Sequence, residues 1–355
     1  MTDQSIRQRK LDHVDLAMNK AAAAANDPGW SDVTLVPVSL PCVNLEDVDL
    51  GTAFLSASLD APIFIAGMTG GHPDVERINA SLATAAQEHR VAMGVGSQRA
   101  ALVDVELVQS YAVVRQSAPD AFICGNIGIS QVVDGQAGDD IVSRLVDMIE
   151  ADALAVHVNV LQELVQPEGG IELARAYEAL AEMIGASPVP VIIKETGCGF
   201  DQSSARRMAE IGVAAIDVGG AGGTSFTQIE GVRAGLAQDQ RGARLAETFA
   251  TWGIPTALSV LDVRDVGLPV IATGGISNGL NAAKAIALGA QLAGIGRKLL
   301  AAALSGPEGA THELAAIIEE IKISLSLSDC RSLDEFALRD PVLSGKAAVW
   351  ATRNK

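Results

Sequence analysis

Short, nearly continuous apolar runs recur along the chain, each followed by a stretch whose apolar positions return every three or four residues. Eight runs stand out: Pro62–Gly67, Ala92–Ser97, Ala121–Asn126, Ala153–Asn159, Val189–Lys194, Val213–Gly219, Leu268–Thr273 and Gln291–Gly296. Runs that do not alternate polar with apolar suit parallel strands covered on both faces. The stretches Val75–Arg90, Asp139–Glu150, Ile171–Ile184, Gln202–Ile211 and Leu280–Leu288 read as amphipathic helices. Strand then helix, eight times over, predicts an α/β fold: a single (β/α)8 TIM barrel. A doubly wound sheet is the rival and usually carries a GxGxxG turn after its first strand. Here that turn reads Gly67-Met68-Thr69-Gly70-Gly71, which favours the barrel.

Residues 1–61 form an N-terminal arm expected to pack on the barrel mouth, 62–328 the barrel, and 329–355 a polar C-terminal tail. The interval between the sixth and seventh strands is too long for one helix, so 225–267 is expected to be an insertion. Within it, Gly231–Glu247 is rich in glycine and charge, as suits a mobile lid or connector.

Composition narrows the function. With 48% hydrophobic residues a large core is available, and with only 3% aromatics it must be built from Ala, Val, Leu and Ile. The net charge of −17 argues against nucleic acid and anionic membranes as partners. An anionic ligand therefore needs a local basic pocket. Cys42, Cys124, Cys198 and Cys330 show no zinc spacing, and Cys124 and Cys198 read as buried, inert thiols. The charged N-terminus lacks an apolar signal core, and no run reaches a membrane span, which points to the cytoplasm.

In a barrel, functional groups sit at the carboxyl ends of the strands. Every strand here ends in polar residues or glycine. For any single loop these would be turn formers and helix caps, but eight of eight asks for a ligand. Gly274-Gly275 and Gly296-Arg297 at the seventh and eighth ends suit a phosphorylated cofactor, since backbone N–H groups can approach a phosphate while one guanidinium pairs with it. Lys194 ends the fifth strand at a buried position, with Glu195 on the opposite face. A structural lysine would need a carboxylate partner, so it reads better as a fixed cation beside an electron-rich ring. At the fourth end, His157 and Asn159 share the interior face and Gln162 and Glu163 follow in the loop. A lone carboxylate such as Glu163 suits Mg2+ held jointly with substrate phosphate and water. In the arm, Arg9, Lys10 and His13 lie on one helical face; spacing alone reads as a solvated basic turn.

Arg9-Lys10-x-x-His13, Met68-Thr69-Gly70-Gly71, Gly96–Leu102 and His157-x-Asn159-x-x-Gln162-Glu163 together resemble the type 2 isopentenyl-diphosphate isomerases. So do Pro167-Glu168-Gly169, Lys194-Glu195-x-Gly197-x-Gly199, Gly222-Gly223-Thr224 and Trp252-Gly253, in order from Arg9 to about Leu304, with Pro341–Gly345 beyond. The resemblance implies an FMN-dependent barrel that interconverts isopentenyl and dimethylallyl diphosphate. It implies Mg2+ on the diphosphate, a reduced flavin acting as acid and base, NADPH as its reductant, and a homo-oligomer of four or eight chains. It assigns Gly67, Met68, Thr69, Ser97, Asn126, Lys194, Thr224, Gly274, Gly275, Gly296 and Arg297 to FMN. Arg9, Lys10, Ser97, Gln98, Arg99, His157, Asn159 and Gln162 are assigned to the substrate, Glu163 to the metal, and Gln162, Lys194 and His157 to catalysis.

Three positions depart from the family pattern: Ser277 where the loop Ser-Gly-Gly-Ile-Arg ends in arginine, Val160 where a proline often follows the site asparagine, and Gly170 for an acid. The alternatives are another FMN-dependent barrel oxidoreductase, acting on a small hydroxy acid or a modified prenyl diphosphate, and a catalytically silent flavoprotein subunit.

Overall fold

The eight apolar runs do form strands: Ile63–Ile65 (β1), Ala92–Gly94 (β2), Ile123–Gly128 (β3), Ala153–Val158 (β4), Val191–Glu195 (β5), Ala215–Asp217 (β6), Val270–Thr273 (β7) and Leu292–Ile295 (β8). In the computed structural model, residues 24–135, 139–166 and 172–353 are described. All eight strands pair in parallel with their sequence neighbours, and β8 pairs with β1 to close the barrel. Full closure leaves no free sheet edge.

Inside the barrel, Phe64, Ala92, Phe122, Cys124, Ala153, Ala155, Ile192, Ala215, Ile271 and Leu292 pack together. The abundance of alanine there follows from a narrow interior that a few larger side chains already fill. By the two-residue period of a strand, the next inward positions towards the carboxyl ends are Asn126, His157, Lys194, Asp217 and Thr273. The interior thus turns from apolar to polar in one step, where the site begins.

The arm serves both ends of the barrel. A hairpin of Thr52–Phe54 with Ala57–Leu59 plugs the amino end, where Phe54 meets Phe122 edge to face at 5.6 Å. Ala24, by contrast, donates its N–H to Gly223 O (2.8 Å) at the mouth. Val33–Thr34 pairs antiparallel with Val342–Leu343, tying the arm to the tail. Arg9, Lys10, His13 and the Pro167-Glu168-Gly169 turn lie outside the described residues.

The 225–267 segment contains three helices: Phe226–Leu236, Gln240–Thr248 and Thr256–Val263. The glycine- and charge-rich run Gly231–Glu247 lies almost wholly within the first two, which pack on each other. Gly231 sits where a Cβ would strike Ala246, so its small size permits close helix packing. Among the described residues no helix is long and apolar enough to cross a membrane.

Candidate active site

The polar strand ends surround one cavity of about 740 Å³. Of the assigned residues, Gly67, Met68, Ser97, Arg99, Asn126, His157, Asn159, Gln162, Glu163, Lys194, Thr224, Gly274, Gly275, Gly296 and Arg297 line it. Thr69 and Gln98 do not. Gln98 is fully buried: its Oε1 accepts from Asn126 N (2.9 Å) and its Nε2 donates to Leu145 O (2.9 Å). It braces the end of β3 rather than facing a ligand. Thr69 turns its hydroxyl to Asn79, whose Nδ2 reaches Ser110 O (2.7 Å), while Gly71 N donates to Ser110 Oγ (2.9 Å). That network holds the loop after β1 from behind. Asn79 and Ser110 lie in the first turns of the helices Glu76–His89 and Gln109–Ser117, where nothing in the sequence marks them.

At one end of the cavity, backbone meets backbone. Gly274 and Gly275 have φ of 128° and 66°, values that disfavour any side chain. A Cβ on Gly275 would lie 2.7 Å from Gly222 O and from Pro28 of the arm, and one on Gly223 would lie 2.7 Å from Gly275 N. Only glycines allow these three segments to converge. Arg297, Lys298 and Ser277 line the same cavity; Lys298 also pairs with Glu313 at 3.2 Å.

The β4 end carries an ordered set of hydrogen bonds. Asn126 Nδ2 donates to Val95 O (2.9 Å), which turns its Oδ1 to His157 Nδ1 (2.8 Å) and places the proton on Nδ1. Asn159 Nδ2 donates to Glu163 Oε1 (3.0 Å) and Gln162 Oε1 (3.3 Å). Gln162 Nε2 donates to Glu230 Oε1 (2.9 Å), a buried carboxylate that also takes Gln166 Nε2 (2.9 Å) and Arg233 (2.5 Å). Sequence reasoning missed Glu230 because it belongs to the inserted helix, 68 residues from Gln162. An isolated carboxylate in a helix gives no local sign of such a contact.

Lys194 is not without a carboxylate, as its sequence neighbours suggested. Its Nζ lies 2.7 Å from Asp217 Oδ2 on the adjacent strand. Asp217 stands in the middle of an apolar run, and only the register of β5 against β6 brings the two side by side.

Glu195 faces the other way, as expected, and accepts from Gly197 N (2.7 Å), Gly199 N (3.2 Å) and Cys198 N. Burial pushes its carboxyl up to about 7, outweighing the N–H donors of Cys198, Gly197 and Gly199. A carboxyl raised in the folded state binds its proton more tightly there than in the unfolded chain. The contribution of Glu195 to stability is therefore fully present below the ordinary value of 4.5 and is lost as pH rises towards 7. The loss amounts to on the order of 3 kcal/mol. Urea unfolding at a series of pH values should show this decline, and Glu195→Gln should flatten it. Cys124 is buried as expected and burial pushes its thiol up to about 12; Cys198 is only half-buried, and burial together with the Glu195 carboxylate pushes it up to about 12.

Among the described residues, four buried side-chain polar atoms have no hydrogen-bond partner, and three belong to residues of this cavity: Trp30 Nε1, Asn159 Oδ1 and Thr273 Oγ1. Unsatisfied buried polar groups cost free energy, so their concentration here marks a place that a polar ligand completes.

Comparison with known proteins agrees with this geometry. The family profile described as FMN-dependent dehydrogenase matches residues 168–340. A flavocytochrome b2 variant with benzoylformate superposes with a TM-score of 0.66 at 19% identity, covering 96% of this chain and 84% of that one. A mandelate oxidase with benzoyl-formic acid gives 0.63 at 17%, covering 96% and 97%. These superpositions show that the chain shares the (β/α)8 barrel fold. The isopentenyl-diphosphate delta-isomerase of Methanosarcina mazei is 43% identical over 95% of this chain and 92% of its own length. That of Halobacterium salinarum is 41% identical over 99% and 98%. The chain belongs to the isopentenyl-diphosphate delta-isomerase family.

Proposed function

We propose that the protein converts isopentenyl diphosphate to dimethylallyl diphosphate without net redox change, using reduced FMN and Mg2+. The observation that carries the reading is the cavity itself: a glycine-lined cradle at one end, an ordered amide and imidazole set at the other, and unsatisfied polar atoms within it. FMN fits these residues. Gly67, Gly274, Gly275 and Gly296 let the backbone approach a flexible phosphate chain, Arg297 supplies charge, and Met68, Ser97, Asn126, Thr224 and Lys194 hold the rest. Thr69 and Gln98 contribute by fixing loops and strand ends.

When bound, reduced FMN would supply acid–base chemistry for the shift, in which one carbon gains a proton and a different proton leaves from the other end of the allylic unit. The chain's own residues prepare that event. Lys194 holds a positive charge where anionic character must be tolerated. Gln162 is locked by Glu230, so its carbonyl and amide ends cannot exchange, which keeps one polarity towards the substrate. His157 has its Nδ1 proton committed to Asn126, which fixes the orientation of the imidazole at the cavity wall. Arg99, Asn159, His157 and the arm residues Arg9 and Lys10 bind the diphosphate, and its fixation far from the reacting carbons supplies orientation.

Glu163 is the metal ligand in this reading. Among the described residues no group of three or more His, Cys, Asp or Glu could hold a metal. An oxygen-seeking cation at Glu163 would share its coordination with diphosphate and water. Glu163→Gln keeps the shape but removes the charge. Turnover should fall and the Mg2+ requirement rise at least about tenfold, while FMN binding persists. Loss of flavin with unchanged Mg2+ dependence would remove Glu163 from this role. NADPH is the reductant that starts the cycle, and the protein acts as a cytoplasmic homo-oligomer of four or eight chains. Incubation with FMN, NADPH, Mg2+ and isopentenyl diphosphate should yield dimethylallyl diphosphate, followed by mass spectrometry of the hydrolysed alcohols. No conversion by flavin-loaded, reduced protein would overturn the reading.

A further inference from the structure

Lys194 and Asp217 form an ion pair in the middle of the barrel, 2.7 Å apart, with the carboxylate side chain 2% exposed and the ammonium side chain 12%. Their positions are ordered: Lys194 lines the large cavity, whereas Asp217 does not. Asp217 instead borders a small void of about 10 Å³ beneath it, shared with Cys124, Asn126 and Lys194. The other Asp217 oxygen accepts from Gly219 N at 3.2 Å, which fixes the carboxylate against the end of its own strand. Near the pair stand a neutral amide, an imidazole and a thiol: His157, opposite Lys194 on β4, and Asn126 and Cys124 on β3. A ligand in the cavity thus meets the ammonium directly and the carboxylate only through it.

We infer that Asp217 is a positioning residue that works through Lys194, holding the ammonium at the cavity floor and cancelling much of the charge it presents to the flavin. The inference rests on the flavin reading above. An unpaired ammonium at this depth would act as a full positive charge in a poorly screened setting. Such a charge would strongly favour the anionic reduced flavin and hinder return of a proton to it. A redox-neutral isomerisation needs the proton to leave and come back with comparable ease, and that is best served by a balanced pair. With the carboxylate at 2.7 Å, the pair acts as a dipole whose positive end faces the cavity.

The test uses FMN-loaded full-length protein without substrate. FMN affinity is measured by fluorescence quenching, and the oxidised-to-reduced flavin ratio is measured anaerobically against a reference dye. Asp217→Asn keeps the shape and a hydrogen-bond acceptor for Lys194. It should retain FMN affinity within about threefold and move the ratio towards reduced flavin by about tenfold, the size expected for one uncancelled charge several ångströms away. Asp217→Glu, which keeps the carboxylate, should hold the wild-type ratio. An unchanged ratio in folded, FMN-bound Asp217→Asn overturns the inference, as does an equal shift in Asp217→Glu, which keeps the charge. If Asp217→Asn does not fold, Asp217→Ser gives the same comparison. Failure of the wild-type protein to bind FMN would instead count against the flavin reading, so the two failures are distinguishable.

Discussion

Gly274→Ala is expected to abolish tight FMN binding. The residue has φ +128°, a conformation that side chains rarely adopt, and its added Cβ would strike Gly220 O and Thr256 Oγ1. Neither obstacle is the far end of a flexible side chain. Gly220 is backbone, and Thr256 is fully buried at the start of the helix Thr256–Val263. Relieving the clash must push the loop after β7 away from the loop after β6, opening the cradle that the two build with Pro28. Backbone strain and overpacking together cost about 2–5 kcal/mol, which weakens FMN about five- to sixtyfold if half falls on the bound state and more if all of it does. Gly235→Ala is the control. It lies in the helix Phe226–Leu236 with nothing within 4 Å of its new Cβ. It should stabilise the fold by about 0.5–1 kcal/mol and leave flavin affinity unchanged. Fluorescence titration of both variants decides the matter, and equal flavin affinity in the two would remove the glycine cradle from the account.

Lys194→Met is expected to be the most destabilising single change at the site. Methionine fills most of the volume but leaves Asp217, 1% exposed, as a buried carboxylate without its cation. Stranding one member of a buried pair costs about 3–5 kcal/mol, whereas replacing both members by neutral groups often costs far less. Adding Asp217→Asn to Lys194→Met should therefore recover most of the lost stability in urea unfolding. If the double variant is no more stable than the single one, the pair is not the interaction that holds this layer of the barrel.

The sequence carried the architecture in its eight apolar runs, because a strand covered on both faces has little choice but to be continuously apolar. Strand ends were legible for the same reason: a polar residue closing such a run must be explained by something other than packing. Contacts across the ring were not. Asp217 and Lys194 are 23 residues apart, Gln162 and Glu230 are 68. Each pair is made by barrel closure or by helix packing in the insertion, neither of which leaves a local pattern. Gln98 shows the converse case. Its place in a motif between Ser97 and Arg99, both lining the cavity, suggested a ligand contact, yet the chain turns its side chain into the core to brace β3. A motif names the residues that matter without saying which way each one points. In the run Gly231–Glu247, Gly231 sits at a helix contact where a Cβ would strike Ala246, a role that the sequence does not distinguish from a turn glycine.

The most direct test counts product molecules formed per NADPH oxidised, with FMN, Mg2+ and isopentenyl diphosphate present and oxygen excluded. A flavin that gives and retakes a proton returns reduced after each turnover, so one reduction should support many turnovers, and dimethylallyl diphosphate should accumulate far beyond the NADPH consumed. A ratio of one product per NADPH oxidised would mean that electrons leave with the product, and would contradict the isomerase account.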